Sequence, residues 1–314
     1  MVGELKIFAG RASVELATSI CGQLNLPLGK REILSFSNDN SFIKINENVR
    51  ECDVFVIQTS CPPVNHNLME LLIMIDALRR ASARRITAVL PMYPYARSDK
   101  KDQPRIPITA RLVADLLTTA GADRIITIDL HSPQIQGFFT IPLDHLTAGD
   151  LLYTYIAEKN ISDLVVVATD AGFAKEASVY ARWLHAPLAI MDKRRCGNDD
   201  QATVHNFIGN VAGKNAVIFD DEIDTGGTIK ETVKALKKAG AKDIFIACTH
   251  PVFSGPAVER LRGCQPTELI VTDTVPLPQN HNLEGLTVLS VAPMLAEAIK
   301  RIHDGESVST LFKK

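Results

Sequence analysis

Four acids, two threonines and two adjacent glycines fall within nine residues, Asp220-Asp221-Glu222-Ile223-Asp224-Thr225-Gly226-Gly227-Thr228, directly after the apolar run 216–219. The order predicts a strand that ends in the carboxylates Asp220 and Asp221, a tight loop, and a helix over 229–239. Glycines at 226 and 227 let the backbone turn its N–H groups inward and let a ligand approach closely. Those N–H groups and the helix N-terminus form a cradle for a phosphate, with hydroxyl donors from Thr225 and Thr228. Asp220 and Asp221 stand where a strand leaves the sheet, the usual ligand crevice of an open α/β sheet, and paired carboxylates suit the vicinal hydroxyls of a sugar. An acidic turn that caps a helix through Asp224 fits the same residues.

Three other segments offer charge. Lys193-Arg194-Arg195 follows an apolar run and precedes the polar stretch 197–201. A cationic loop of this kind can close over a polyphosphate, since phosphoryl-type transfer depends on positioning and electrostatics. A solvated basic turn has the same spacing. The long segment 91–105 starts at a strand end and carries Tyr95-Ala96-Arg97-Ser98-Asp99-Lys100-Lys101. His131, in Asp129-Leu130-His131-Ser132-Pro133, ends the next strand, a position that structural histidines also occupy.

The elements that must hold these residues alternate along the chain. Short Val/Ile-rich runs at 5–8, 54–58, 86–90, 125–130, 164–168, 188–191, 216–219, 244–248 and 269–272 read as strands. Amphipathic helices lie between them; in one, Leu68, Leu71, Leu72, Ile75 and Leu78 share a face. Uninterrupted apolar strands between helices predict a mostly parallel sheet covered on both faces, an α/β fold. Ala120-Gly121-Ala122, Ile125 and His131 recur as Ala239-Gly240-Ala241, Ile244 and His250, an offset of 119, and a fainter echo pairs Ile7 and Pro27 with Val167 and Pro187 at 160. Two similar domains are expected, with the boundary near 146–150; chance likeness between βα units would leave the same trace.

A chain of 314 residues is long enough for two cores. Its net charge of −2 gives no basic surplus for nucleic acid or an acidic membrane. With no apolar leader and no run of membrane-spanning length, a cytoplasmic protein is expected. Six cysteines without a Cys-x-x-Cys pair argue against a disulfide framework or a thiolate metal site.

Taken together, these segments resemble the ribose-phosphate pyrophosphokinase family over essentially the whole chain. The resemblance rests on Lys6-Ile7-Phe8-Ala9-Gly10, Phe36-Ser37-Asn38, the helix 69–78, 129–139, the phosphate loop, and Cys248-Thr249-His250-Pro251 continuing to Ser254-Gly255-Pro256-Ala257-Val258-Glu259-Arg260. Type I phosphoribosyltransferases share only the phosphate loop and are usually one domain. The resemblance implies two type I phosphoribosyltransferase-like domains: 1–146 on the ATP side, 147–303 with the ribose 5-phosphate loop, and a tail, 304–314, packed on the N-terminal domain. The implied activity is transfer of the β,γ-diphosphate of ATP to C1 of ribose 5-phosphate. A non-catalytic regulatory homologue and a phosphoribosyltransferase are the alternatives.

The resemblance also implies roles. His131 and Asp170 would hold Mg2+, and Lys193 and Arg195 would stabilise the transition state. Phe36, Asn38, Asp39, Asn40, Arg97 and Ser98 would bind ATP, Phe36 and Asn38 from a neighbouring subunit. Arg195, Asp220, Asp221, Asp224, Thr225, Gly226, Gly227 and Thr228 would bind ribose 5-phosphate. A homo-oligomer, a hexamer built from dimers, is implied, as are phosphate and ADP effectors at a site lined by 307–312, with Arg50, Lys100, Lys101 and Arg105 supplying charge. The chain departs from the family's usual pattern at Ser98, Asn40, Phe173 and Glu176.

Overall fold

The computed structural model describes residues 3–195, 203–279 and 281–311, and of 193–195 and 203–205 the backbone alone. The chain divides into two compact units. One comprises Met1–Thr147, Thr274–Pro276 and Ser290–Lys314; the other comprises Ala148–Asp273 and Leu277–Leu289.

The first unit contains β1 (Leu5–Ala9), α1 (Val14–Leu24), β2 (Arg31–Ser35), β3 (Ser41–Ile45), β4 (Asp53–Ile57), α2 (Val64–Arg80), β5 (Arg85–Leu90), α3 (Thr109–Ala120), β6 (Arg124–Ile128) and β7 (Leu143–Leu146). Its sheet has the order β1-β4-β5-β6-β7, every pair parallel. The strands are apolar on both faces because helices cover both: all five residues of β4 are buried. Helix α2 buries Leu71, Met74, Ile75 and Leu78, the face set by its helical spacing. Each such side chain contributes roughly 1.5–3 kcal/mol when removed from water. The ribbon expected from Phe36, Phe42, Ile43 and Ile45 is a separate antiparallel hairpin, β2–β3. Ile33, Ile43 and Ile45 pack on the first core, while Leu34, Phe36 and Phe42 are exposed.

The second unit contains α4 (Gly149–Glu158), β8 (Leu164–Ala168), α5 (Ala174–Trp183), β9 (Leu188–Arg195), β10 (Thr203–Ile208), β11 (Asn215–Ile223), α6 (Gly227–Lys238), β12 (Ile244–Pro251), α7 (Ala257–Cys264), β13 (Glu268–Thr272) and β14 (Leu286–Leu289). Its sheet runs β10-β9-β8-β11-β12-β13-β14, parallel except where β10 returns against β9. The last helix, α8 (Ala292–Asp304), packs with α1 in the first unit. Arg85 Nη2 donates to Ile302 O at 3.0 Å, and His303 Nδ1 lies 2.9 Å from the buried Asp53 Oδ2. The division at 303 expected from the sequence leaves this helix with the second domain instead.

The two echoes behave differently. The offset of 160 joins equivalent places: β1 and β8 are each the first strand of their unit in chain order, and Ile7 keeps a single parallel bridge to Leu28, where β8 has the whole of β9. The offset of 119 does not. Counted in the sheet, β6 is fourth from β1, whereas β12 is third from β8. What these segments share is a helix ending. Ala122 donates to Leu117 O and Ala241 to Leu236 O, with the intervening Gly121 and Gly240 at φ 117° and 82°.

Among the described residues, no helix is long and apolar enough to cross a membrane. Cys21, Cys52, Cys61, Cys248 and Cys264 are buried free thiols; Cys196 lies outside the described residues.

Candidate active site

In the second unit the strand order reverses between β8 and β11. The chain places β9 on one side of β8 and the next parallel strands on the other. The carboxyl end of such a switch point opens a crevice, because the connections leave in opposite directions. The candidate residue Asp170 follows the end of β8, and 220–228 span the last residues of β11 and the loop beyond it.

Strand β11 runs further than its apolar stretch. It continues through Asp220, Asp221 and Glu222 to Ile223, paired with β12 at Asp220↔Cys248, Glu222↔His250 and Ile223↔Pro251. The acids read as a strand end are therefore half-buried strand residues. Burial, and secondly the charge of Asp221, pushes the Asp220 carboxyl well above the usual carboxylate range. A bound cation or a donated hydroxyl would relieve that cost.

The loop is shorter than expected and the helix starts earlier. Gly226 occupies the N-cap position at φ 70°, ψ 12°, and α6 begins at Gly227. Asp224 is thus two residues short of the cap. Only glycine takes this φ without strain, and it leaves the first N–H groups of α6 to an anion. The loop is held from behind: Phe253 N–H donates to Ile223 O (3.0 Å), Ser254 N–H to Asp224 O (2.9 Å), and Arg260 Nη1 to Thr225 O (3.0 Å). Arg260 lies in the first turn of α7, and its only sequence signal is a cation at that place.

Asp170 is exposed, two residues past β8. Its Oδ1 accepts from the Phe173 N–H at 3.0 Å, which fixes the carboxylate at the entry to α5. A Cβ on Gly172 would stand 3.1 Å from that Oδ1. Phe173, a departure from the family pattern, packs on the core beneath α5. The basic run 193–195 is not a loop in the structure. Its backbone continues β9 in register with β10, Lys193↔His205 and Arg195↔Thr203. The side chains of Lys193, Arg194 and Arg195, and residues 197–201, lie outside what is described.

The remaining candidates are in the first unit. His131 is exposed beyond β6, and the adjoining Leu130 N–H donates to His145 Nε2 at 2.8 Å. Arg97 is exposed and Ser98 half-buried in a turn tied to α3, with Ser98 N–H to Tyr95 O and Ala110 N–H to Ser98 O. Residues 36–40 form the tip of the β2–β3 hairpin, closed by Phe36 N–H to Asn40 O and Asp39 N–H to Phe36 O, with Asp39 at φ 65°. The Phe36 ring is 53% exposed, accessible to a flat partner, and lies 6.0 Å from Phe42. Arg50, Lys100, Lys101 and Arg105 are exposed. Ser307 and Ser309 share a 2.7 Å hydroxyl contact, and Phe312 lies outside the described residues.

Among the described residues no group of three or more His, Cys, Asp or Glu converges as a ready-made metal cage. The oxygen donors along 220–224 and at 170 instead suit a hard cation that keeps several waters and shares a substrate's phosphate oxygens.

Comparison with known proteins agrees in extent. Residues 5–121 match the model for the N-terminal domain of ribose phosphate pyrophosphokinase, and 196–313 match that of the phosphoribosyl synthetase-associated domain. The ribose-phosphate pyrophosphokinase of Caldanaerobacter subterraneus subsp. tengcongensis is 52% identical over 309 residues, 98% of each chain. That of Clostridium perfringens is 51% identical over 312 residues, again 98% of each. The crystal structure of phosphoribosylpyrophosphate synthetase from Mycobacterium smegmatis superposes with a TM-score of 0.91 at 48% identity, over 96% of this chain and 99% of that one.

Proposed function

The chain belongs to the ribose-phosphate pyrophosphokinase family, and on that premise we propose how its residues divide the work. The enzyme is a ribose-phosphate diphosphokinase: it transfers the β,γ-diphosphate of ATP to the C1 hydroxyl of ribose 5-phosphate, giving 5-phosphoribosyl 1-diphosphate and AMP. A bond forms between the C1 oxygen and the β-phosphorus, and the bond from that phosphorus to the oxygen of the departing AMP breaks. Little covalent chemistry falls to the protein, so its residues bind, orient and neutralise.

The observation that carries the residue assignment is the run of carboxylates leading through Gly226 into the N-terminus of α6. In this reading the 5-phosphate sits against the N–H groups of Gly226, Gly227 and Thr228 and the hydroxyls of Thr225 and Thr228. Asp220, Asp221 and Asp224 accept hydrogen bonds from ribose hydroxyls, which orients C1. Lys193 and Arg195 face the charge that grows on the transferring group, and Arg195 also reaches the sugar phosphate. Phe36, Asn38, Asp39, Asn40, Arg97 and Ser98 hold ATP. Magnesium is the proposed cofactor, held by His131 and Asp170. When bound it neutralises phosphate oxygens as a hard, oxygen-seeking cation.

We further propose a cytoplasmic homo-oligomer, a hexamer built from dimers, acting without nucleic acid or membrane, with phosphate and ADP as effectors near 307–312. A coupled assay tests the reaction. AMP should appear only when ATP, ribose 5-phosphate and magnesium are all present. Diphosphate release that needs a nucleobase would mark a phosphoribosyltransferase, and a folded protein forming no AMP would mark a regulatory homologue.

A further inference from the structure

Residues 251–260 follow the phosphate loop almost position for position. Ile223 pairs with Pro251 and accepts from the Phe253 N–H, Asp224 accepts from the Ser254 N–H, and Thr225 accepts from Arg260. A Cβ on Gly226 would rest 3.6 Å from Ala257 Cα, and one on Gly227 would rest 3.5 Å from Arg260 Nη1. Phe253 and Gly255 take φ of 48° and 53° to keep this segment in place.

One of these contacts differs from the rest in being a side chain that carries charge. A trans peptide is planar, with its C=O and N–H pointing in opposite directions. Arg260 holds the carbonyl of the Thr225–Gly226 peptide. That bond therefore turns the Gly226 N–H away from Arg260 and toward the other side of the loop. Without it the peptide can rotate, since glycine at 226 resists rotation less than any other residue. The guanidinium also adds fixed positive charge beside the first turn of α6, where the helix dipole already favours an anion.

We propose that Arg260 is a positioning residue for the 5-phosphate of ribose 5-phosphate, acting by fixing the Thr225–Gly226 peptide and reinforcing the charge at the α6 N-terminus. This rests on 224–228 being the phosphate loop. Arginine suits the task because its planar fork is preorganised and its charge is permanent.

Titration calorimetry on the full-length protein tests this with ribose 5-phosphate and, separately, magnesium-ATP. Arg260→Ala should weaken ribose 5-phosphate binding about tenfold or more, the scale of one lost charge-assisted hydrogen bond. ATP affinity should stay within about twofold, and in steady state KM for ribose 5-phosphate should move more than kcat. Arg260→Lys should recover part of the loss, which a merely structural role would not predict. If Arg260→Ala is poorly folded, Arg260→Gln keeps a donor and most of the packing while removing the charge, and should show a selective loss in the same direction but smaller. Ribose 5-phosphate affinity near wild type in either folded variant, or an equal fall for ATP, overturns the proposal. Gly227→Val separates the two ideas. If it too leaves sugar-phosphate binding intact, the loop assignment has failed; if it abolishes binding while Arg260→Ala does not, only the role of Arg260 has.

Discussion

Asp220 stands opposite Cys248 in the β11–β12 ladder, so the first carboxylate of the acid run is paired with a fully buried thiol. The same burial acts on both. It pushes the Asp220 carboxyl up, with the charge of Asp221 second, and it pushes the Cys248 thiol up, with Asp220 and Asp221 adding to it. A carboxyl placed at such cost marks a candidate binding group.

That cost has a sign. The folded protein binds the Asp220 proton more tightly than the unfolded chain, so ionising it opposes folding. The penalty is absent below the unfolded carboxylate value and complete above the raised folded value. Asp220→Asn, measured without substrates, should therefore melt above wild type near pH ~8, and the gap should close as pH falls toward ~4. The variant should lose ribose 5-phosphate affinity. A thermal shift series across pH checks it; a lower melting temperature than wild type at the alkaline end contradicts it.

The two glycines should respond differently to added carbon. At Gly227 a Cβ meets ordinary contacts of 3.5 and 3.8 Å, from Arg260 Nη1 and Thr225 Oγ1, so Gly227→Ala should fold with near-normal stability. Gly227→Val should weaken sugar-phosphate binding and spare ATP. Gly226→Ala should cost about 1 kcal/mol or more, because φ of 70° is strained for any residue with a Cβ. Denaturant melts and calorimetry on the three variants distinguish these outcomes.

Lys193→Ala should lower kcat by about 10²-fold or more, since one preorganised charge facing the transition state is worth roughly 3 kcal/mol. Substrate affinities should change less. Turnover near wild type would remove Lys193 from the catalytic machinery.

A closed homo-oligomer should appear in multi-angle light scattering at assay concentration, because the exposed ring of Phe36 sits on a hairpin whose outer face also carries Leu34 and Phe42. Replacing Phe36 and Phe42 together with Ser should shift the distribution toward smaller species. A fully active monomer would contradict the assembly.

Much of this was legible in the sequence, for a physical reason: buried parallel strands leave continuous apolar runs. Residues 164–168 coincide with β8 for that reason. The misses follow from the same logic. Strand β11 outlasts its apolar run because the backbone ladder to β12 continues past it, Asp220↔Cys248 and Glu222↔His250, whatever the side chains carry. Strands β7 (Leu-Asp-His-Leu) and β14 (Leu-Thr-Val-Leu) are four-residue edges with too little apolar length to stand out. β10 is paired on one side only, against β9. The 119-residue echo misled because similar helix endings recur wherever a helix must turn back into a strand. At the site, residue types announced phosphate and sugar, but no spacing rule could join Arg260 to Thr225, since only the packing of α7 behind the loop brings them together.

Helix α8 gives the chain an order of completion. The first unit's sheet is finished by residue 146, yet it lacks a helix that follows only at 292–304. Until residues 302 and 303 leave the ribosome, the buried Asp53 has Arg85 but lacks His303, and α1 lacks its neighbour. The second unit, by contrast, has all of its residues by Leu289. The later-encoded half can therefore reach its mature form first, and the earlier half must wait for the last helix. A stop codon at position 302 would therefore remove part of the first unit, whose sheet was encoded long before it.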